Sequence, residues 1–127
     1  MQTAGRFALG GAIALAATMG AHAQPAYPVR PIRMIVPFTP GGNADIVARI
    51  VAQKLAERLG QQVVVDNRPG ASAMIGTELV VRAAPDGYTL VLISASYPVN
   101  PALYKLNFDP VNDITPIMLA AKGPFMV

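Results

Sequence analysis

Cysteine is absent from this chain, and histidine occurs once, at His22. The first absence excludes disulfides, thiolate nucleophiles and a lipid-modified cysteine anchor. It does not fix the compartment, because an oxidising environment permits disulfides without requiring them. The histidine lies in a stretch with the form of a secretory leader. Arg6 supplies a positive start, Phe7 to Met19 is apolar and uncharged, and Ala21-His22-Ala23 fits a small-x-small cleavage site. The rival reading is an uncleaved anchor, but the run falls short of the ~20 apolar residues a membrane span needs. Cleavage after residue 23 leaves Gln24 first and removes the histidine. The remaining 104 residues then have neither His nor Cys. They cannot build a Ser-His-Asp or Cys-His site, or an ordinary zinc site.

Charge is also sparse, at 13% of residues. After the leader, nine Lys and Arg face seven Asp and Glu. The basic residues are scattered, with no cluster or arm of the kind that binds nucleic acid. The acidic residues offer no catalytic pair: Asp45, Asp66 and Asp86 fall at a helix start, a strand end and a turn. No catalytic residue, metal site or cofactor is therefore expected.

What is present is an alternation of apolar strands and amphipathic helices. Ile32 to Phe38 is apolar on both faces, as buried parallel strands are. Thr39 to Gly42 forms a loop, and Asn43 is placed to cap a helix reaching Leu59, with Asp45 in its first turn. Val47, Val51, Leu55 and Leu59, joined by Ile46 and Ile50, predict its apolar face. Gly60 suits the residue after a helix. Gln62 to Asp66 predicts a second strand, Asn67 to Ala73 a second loop, and Met74 to Ala84 a second helix. Pro85-Asp86-Gly87 is a turn. Tyr88 to Ser94 predicts a third strand, left through Ser94-Ala95-Ser96-Tyr97-Pro98. Asn100 to Tyr104 reads as a short helix and Ile114 to Ala121 as another strand. Pro25 to Pro31, before the first strand, reads as an extended, exposed lead-in.

A β-α-β-α-β order with right-handed crossovers gives a Rossmann-like α/β parallel sheet of strand order 2-1-3. All three loops at the strand carboxyl ends then share one rim, where open α/β sheets bind ligands. The first loop puts a helix N-terminus on that rim, which favours an anion. A dinucleotide fingerprint is not met by Gly41-Gly42-Asn43-Ala44-Asp45, and no P-loop lysine follows. Each rim residue has a plainer alternative. The glycines also serve a tight turn, Asp45 is a first-turn charge, and Arg68 neutralises a carboxylate, is solvated, or ties down its loop. Ser72, Ser94 and Ser96 without a base are hydrogen bonders. Tyr97 is core or pocket wall, and Tyr104 is assigned to the core.

Several blocks occur in series: Tyr27-Pro28-x-Arg30-Pro31-Ile32-Arg33, Ile35-Val36-Pro37-Phe38-x-Pro40-Gly41-Gly42-x-x-Asp45 and Val63-Val64-Val65-x-Asn67-Arg68-Pro69-Gly70-Ala71. Pro85-Asp86-Gly87-Tyr88-Thr89-Leu90 and Asn100-Pro101-x-Leu103-Tyr104 follow. Over residues 27–127 the chain resembles the Bug family, the periplasmic solute receptors of tripartite tricarboxylate transporters. The resemblance implies a two-lobed α/β receptor, closing on a small organic acid held by backbone amides and ordered water. Carried over by position, the ligand-binding residues are Phe38, Thr39, Pro40, Gly41, Gly42 and Asp45 in the first loop. Ala71, Ser72, Ala73 and Met74 serve in the second, and Ser94 and Ser96 in the third. Family members usually have a further glycine where this chain has Ala73-Met74, and they are more than twice as long.

The expected organisation is a signal peptide over 1–23, the first lobe over 24–113, and the start of a crossover toward a second lobe over 114–127. The expected role is a monomeric, non-enzymatic periplasmic receptor, delivering an organic acid to membrane transporter subunits. The alternatives are a ligand-sensing subunit for a membrane kinase, a secreted enzyme acting on carboxylates, and a truncated product without function. Asp45 facing the pocket would suit a cationic group on the ligand.

Overall fold

The computed structural model describes residues 26–123; the expected leader and residues 124–127 lie outside it. Three strands form one parallel sheet: β1 (Ile32–Val36), β2 (Val63–Asn67) and β3 (Thr89–Val91), in the order β2-β1-β3. Ile32 pairs with Val63 and Arg33 with Thr89. The expected order 2-1-3 is therefore observed. β3 is shorter than the apolar run that announced it, although Leu92 N–H still donates to Ile35 O at 3.0 Å.

The two main helices lie on opposite faces, because the β1-to-β2 and β2-to-β3 crossovers run across the sheet in opposite directions with one hand. Helix α1 (Asn43–Leu59) sets Ala48 and Ala52 on Met34 and Val36, with Val51, Leu55, Val65 and Leu90 around them. Small residues at the contact let the helix approach closely. Helix α2 (Met74–Val81) packs on β1 and β3 from the other side. There Gly76 faces Pro37: a Cβ at Gly76 would sit 2.7 Å from Pro37 Cβ and 2.9 Å from Arg68 O. Only glycine allows that approach.

Three expectations need correction. Gly42, not Asn43, is the N-cap of α1; no side chain caps it, and Asn43 is already helical. Ile46 and Ile50 are exposed rather than on the apolar face. Each lies two residues from Ala48, about 160° around a helix of 3.6 residues per turn. Residues 114–121 form no strand, and Ile117 and Leu119 are 75% and 70% exposed. A strand exists only through its ladder, and no described strand pairs with this one. The described part of the lead-in is exposed as expected, except for Pro28, and it is fastened to the turn before β3. Tyr27 Oη donates to Gly87 O at 2.6 Å, Val29 N–H donates to Tyr88 Oη at 2.9 Å, and Arg30 pairs with Asp86 while stacking 4.2 Å over the Tyr88 ring. The Gly60 expectation is met: φ is +67° and its N–H closes the helix on Ala56 O.

Candidate functional site at the carboxyl rim of the sheet

The loops after β1, β2 and β3 leave the same end of a parallel sheet, so the rim follows from topology. The first loop is organised from beneath by Asp45. That residue is 3% exposed, and its carboxylate is fully engaged. Oδ2 accepts from Gly41 N–H and from Arg49 Nε, both at 2.9 Å. Oδ1 accepts from Asn67 Nδ2 at 2.9 Å, and the same amide donates to Phe38 O at 3.1 Å. The Arg49 bond, then the Gly41 amide and Asn67, hold the carboxyl well below its usual range despite burial. Arg49 is correspondingly held protonated more firmly by Asp45.

Asp45 therefore faces inward. Its place in the structure is to fasten Gly41, at φ +83°, to the helix start and to β2. This differs from a carboxylate presented to a cationic ligand group, and it occupies the Gly41 amide. Asn67 bridges β2, the first loop and α1. It is a positioning residue that pattern reading treated only as loop, because nothing local marks an asparagine that will meet a carboxylate 22 residues away.

The second loop is unusual. Ala71, Ser72 and Ala73 all take positive φ, at 45°, 54° and 72°. The left-handed region is costly for residues with a Cβ, by roughly 1–2 kcal/mol each. Strain of this kind persists only where the surroundings over-determine it. Ala73, the N-cap of α2, itself takes the left-handed conformation. The step from left-handed Ala73 to right-handed Met74 is an alternation of backbone hand of the kind that attracts anions, although the Met74 N–H itself already donates to Ala71 O. The helix dipole of α2 adds to it. Thr77, fully buried, donates from Oγ1 to Ala73 O at 2.9 Å.

The bases near the rim are already paired. Arg68 Nε donates to Asp66 Oδ1 at 2.9 Å, and Arg33 reaches Asp66 across the ladder. Burial raises the Asp66 pKa, but the bonds from Arg33 and Arg68 outweigh it and the net shift is downward. Arg68 is thus half-exposed and paired with a side chain of β2 two residues before it.

In the third loop, Ser94 and Ser96 share a hydrogen bond at 2.8 Å. Among the described residues no side-chain hydrogen bond joins that pair to the first two loops. Tyr97 is half-buried and donates to Pro110 O at 2.9 Å. Burial, with Asp109 and Asp113 nearby, raises its pKa. Tyr104 is not core: it is 42% exposed, and its hydroxyl meets Ser72 Oγ at 2.9 Å. Of the other positions expected at the site, Thr39, Pro40, Gly41, Ala71 and Ser72 are exposed. Phe38, Gly42, Met74 and Ser94 are half-buried, and Ala73 is buried.

Two shallow grooves run elsewhere along β2, one against α1 and one beside Pro31 and Arg33; neither touches the rim loops. Among the described residues no three His, Cys, Asp or Glu side chains come together to hold a metal ion.

Comparison with known proteins agrees with this geometry. Residues 47–127 match the model of the tripartite tricarboxylate transporter family receptor, TctC. Protein BugT of Bordetella pertussis is 44% identical over 104 residues, which is 80% of this chain and 32% of BugT. The chain thus spans about a third of the length of the curated relatives it matches. The structure of the periplasmic binding protein BugD superposes with a TM-score of 0.66 at 45% identity, over 68% of this chain and 29% of BugD. MatC from Rhodopseudomonas palustris, solved with bound malate, gives 0.62 at 36% identity, over 71% of this chain and 31% of MatC. The three-stranded unit corresponds to part of the first lobe of such two-lobed proteins. The chain belongs to the TctC family of solute-binding receptors.

Proposed function

We propose that this chain supplies the ligand-facing rim of a periplasmic receptor for a small organic carboxylate. In that role it serves the membrane subunits of a tripartite tricarboxylate transporter. Residues 1–23 direct export as a cleaved signal peptide, residues 24–113 form the first lobe, and the receptor works as a monomer without catalysis. The observation that carries this reading is the left-handed turn Ala71–Ala73 opening directly into α2. It gathers N–H groups and a helix N-terminus at the rim, while Arg49 and Arg68 are committed to Asp45 and Asp66. An anion at this position meets backbone donors rather than a free counter-ion. The malate bound by MatC belongs to the same ligand class. The first-loop donors are then Thr39 and Gly42, whose amide makes only a 3.5 Å bond to Thr39 O, because Asp45 holds the Gly41 amide and Pro40 has no N–H to give.

The test is thermal unfolding of the intact protein against mono-, di- and tricarboxylates and their uncharged amides. An acid at 100 times its Kd adds about 2.7 kcal/mol of apparent stability. At least one acid should raise Tm in a concentration-dependent way while its amide does not. No response to any acid, or equal responses to acid and amide, contradicts the proposal.

A further inference from the structure

The second rim loop adopts a conformation that its own residues disfavour, and side chains from a later part of the chain hold it there. Asn100 is 6% exposed and donates from Nδ2 to Ser72 O at 2.9 Å. Tyr104 Oη meets Ser72 Oγ at 2.9 Å. Both contacts fall on the middle residue of the left-handed run. The two side chains come from one short helix, α3 (Asn100–Leu103), and its closing residue. Four positions apart, they share a face, and Tyr104 N–H caps that turn on Asn100 O at 2.9 Å. The helix continues from the third rim loop through two further turns, Tyr97 N–H to Ser94 O at 3.0 Å and Val99 N–H to Ser96 O at 3.1 Å. The third loop is thus linked by a chain of tight turns to the grip on the second.

We propose that Asn100 and Tyr104 are positioning residues that clamp Ser72, and so keep the left-handed turn Ala71–Ala73 in the shape that presents its amides to a carboxylate. This rests on the receptor reading above. Without the clamp, L-residues at three successive positive φ angles relax toward ordinary backbone. The amides then scatter and the anion site loosens, while the sheet, held by its own ladder and by α1, stays intact.

The experiment is carried out on the intact protein, with Tyr104→Phe, Asn100→Ala and the double variant Tyr104→Phe/Ala73→Gly. Two readouts are taken: hydrogen exchange of residues 71–76 and calorimetric titration with malate. One net hydrogen bond corresponds to about three- to tenfold. Exchange over 71–76 should quicken by that factor in Tyr104→Phe while β1 is unaffected, and malate affinity should fall similarly. Glycine reaches positive φ at no steric cost, so Ala73→Gly should restore most of the affinity lost in Tyr104→Phe. That rescue is not expected of a residue that merely supports the fold. Unchanged exchange at 71–76 in both single variants overturns the clamp. Quickened exchange with unchanged affinity overturns its role in binding, as does failure of the glycine rescue. Absence of binding by the unmodified protein to malate and to every other acid tried overturns the receptor reading, and the positioning role with it; the exchange pattern still decides whether the two residues hold the turn.

Discussion

Gly76→Ala should destabilise the protein even though the substitution favours the helix it sits in. Gly76 lies inside α2, where alanine gains about 1 kcal/mol of intrinsic helix propensity. The added methyl, however, would meet Pro37 Cβ at 2.7 Å, Arg68 O at 2.9 Å and Pro37 Cα at 3.0 Å. Two of these are backbone atoms and the third belongs to a rigid ring, so none can swing aside. Ordinary contact begins at 3.4 Å, which requires α2 to retreat by about 0.7 Å. Overpacking of a fitted contact costs typically 1–3 kcal/mol. With unyielding neighbours we take the upper half of that range, and after the helix gain the net loss is about 1–2 kcal/mol. For a urea dependence near ~2 kcal/mol/M, the unfolding midpoint falls by about 0.5–1 M. The displaced helix carries the second loop with it, so affinity for whichever carboxylate raises Tm should weaken too. Gly60→Ala is the control. At φ +67° with nothing within 4 Å of the added Cβ, it is strained but not crowded. It should cost about 1 kcal/mol and leave affinity unchanged, because Gly60 lies at the far end of α1. A Gly76→Ala protein as stable as its parent would refute the reasoning.

Asp45→Asn should lower Tm at neutral pH, since an amide cannot accept from Gly41, Arg49 and Asn67 at once. Its pH signature follows from the depressed folded pKa. Above the ordinary value of 3.8 the stabilisation is fully present, and it is lost as pH falls below that value toward the folded one. Acid unfolding of Asp45→Asn, followed by circular dichroism, should therefore show a smaller loss of stability below pH 4 than its parent. Asn67→Asp places a second carboxylate against Asp45 and removes the donor to Phe38 O. Its Tm should fall at pH 7 and partly recover near pH ~4, as one carboxyl of the pair protonates. Arg33→Ala should change urea-measured stability by less than about 1 kcal/mol, because Arg33 is half-exposed and Asp66 retains Arg68.

The sheet order, both main helices and the shared rim were legible because each rests on a local pattern: an apolar run, a repeat at helical spacing, a glycine at a helix end. Gly60 illustrates how closely one residue type can specify one backbone conformation. The errors arose where tertiary geometry decides. Ile46 and Ile50 are apolar and helical but point away from the sheet, since α1 docks through Ala48 and Ala52. Residues 114–121 have strand composition and no ladder. At the site, Asp45 was visible as a first-turn acid, yet its commitment to Gly41, Arg49 and Asn67 depends on a residue from another strand. The left-handed run at Ala71–Ala73 was not legible at all. Alanine and serine carry no preference for positive φ, and the clamp from Asn100 and Tyr104 comes from 28 and 32 residues away. Pattern located that loop and resemblance gave it a binding role; only the fold shows how it is held.

The most direct test of the account is to titrate the isotopically labelled intact protein with the carboxylate that most raises its Tm and follow its backbone amides by NMR. The account predicts saturable shifts concentrated on Gly42, Ala71, Ser72 and Ala73 at the sheet's carboxyl rim. Shifts confined instead to the groove between α1 and β2, around Gln53 and Val64, would contradict it.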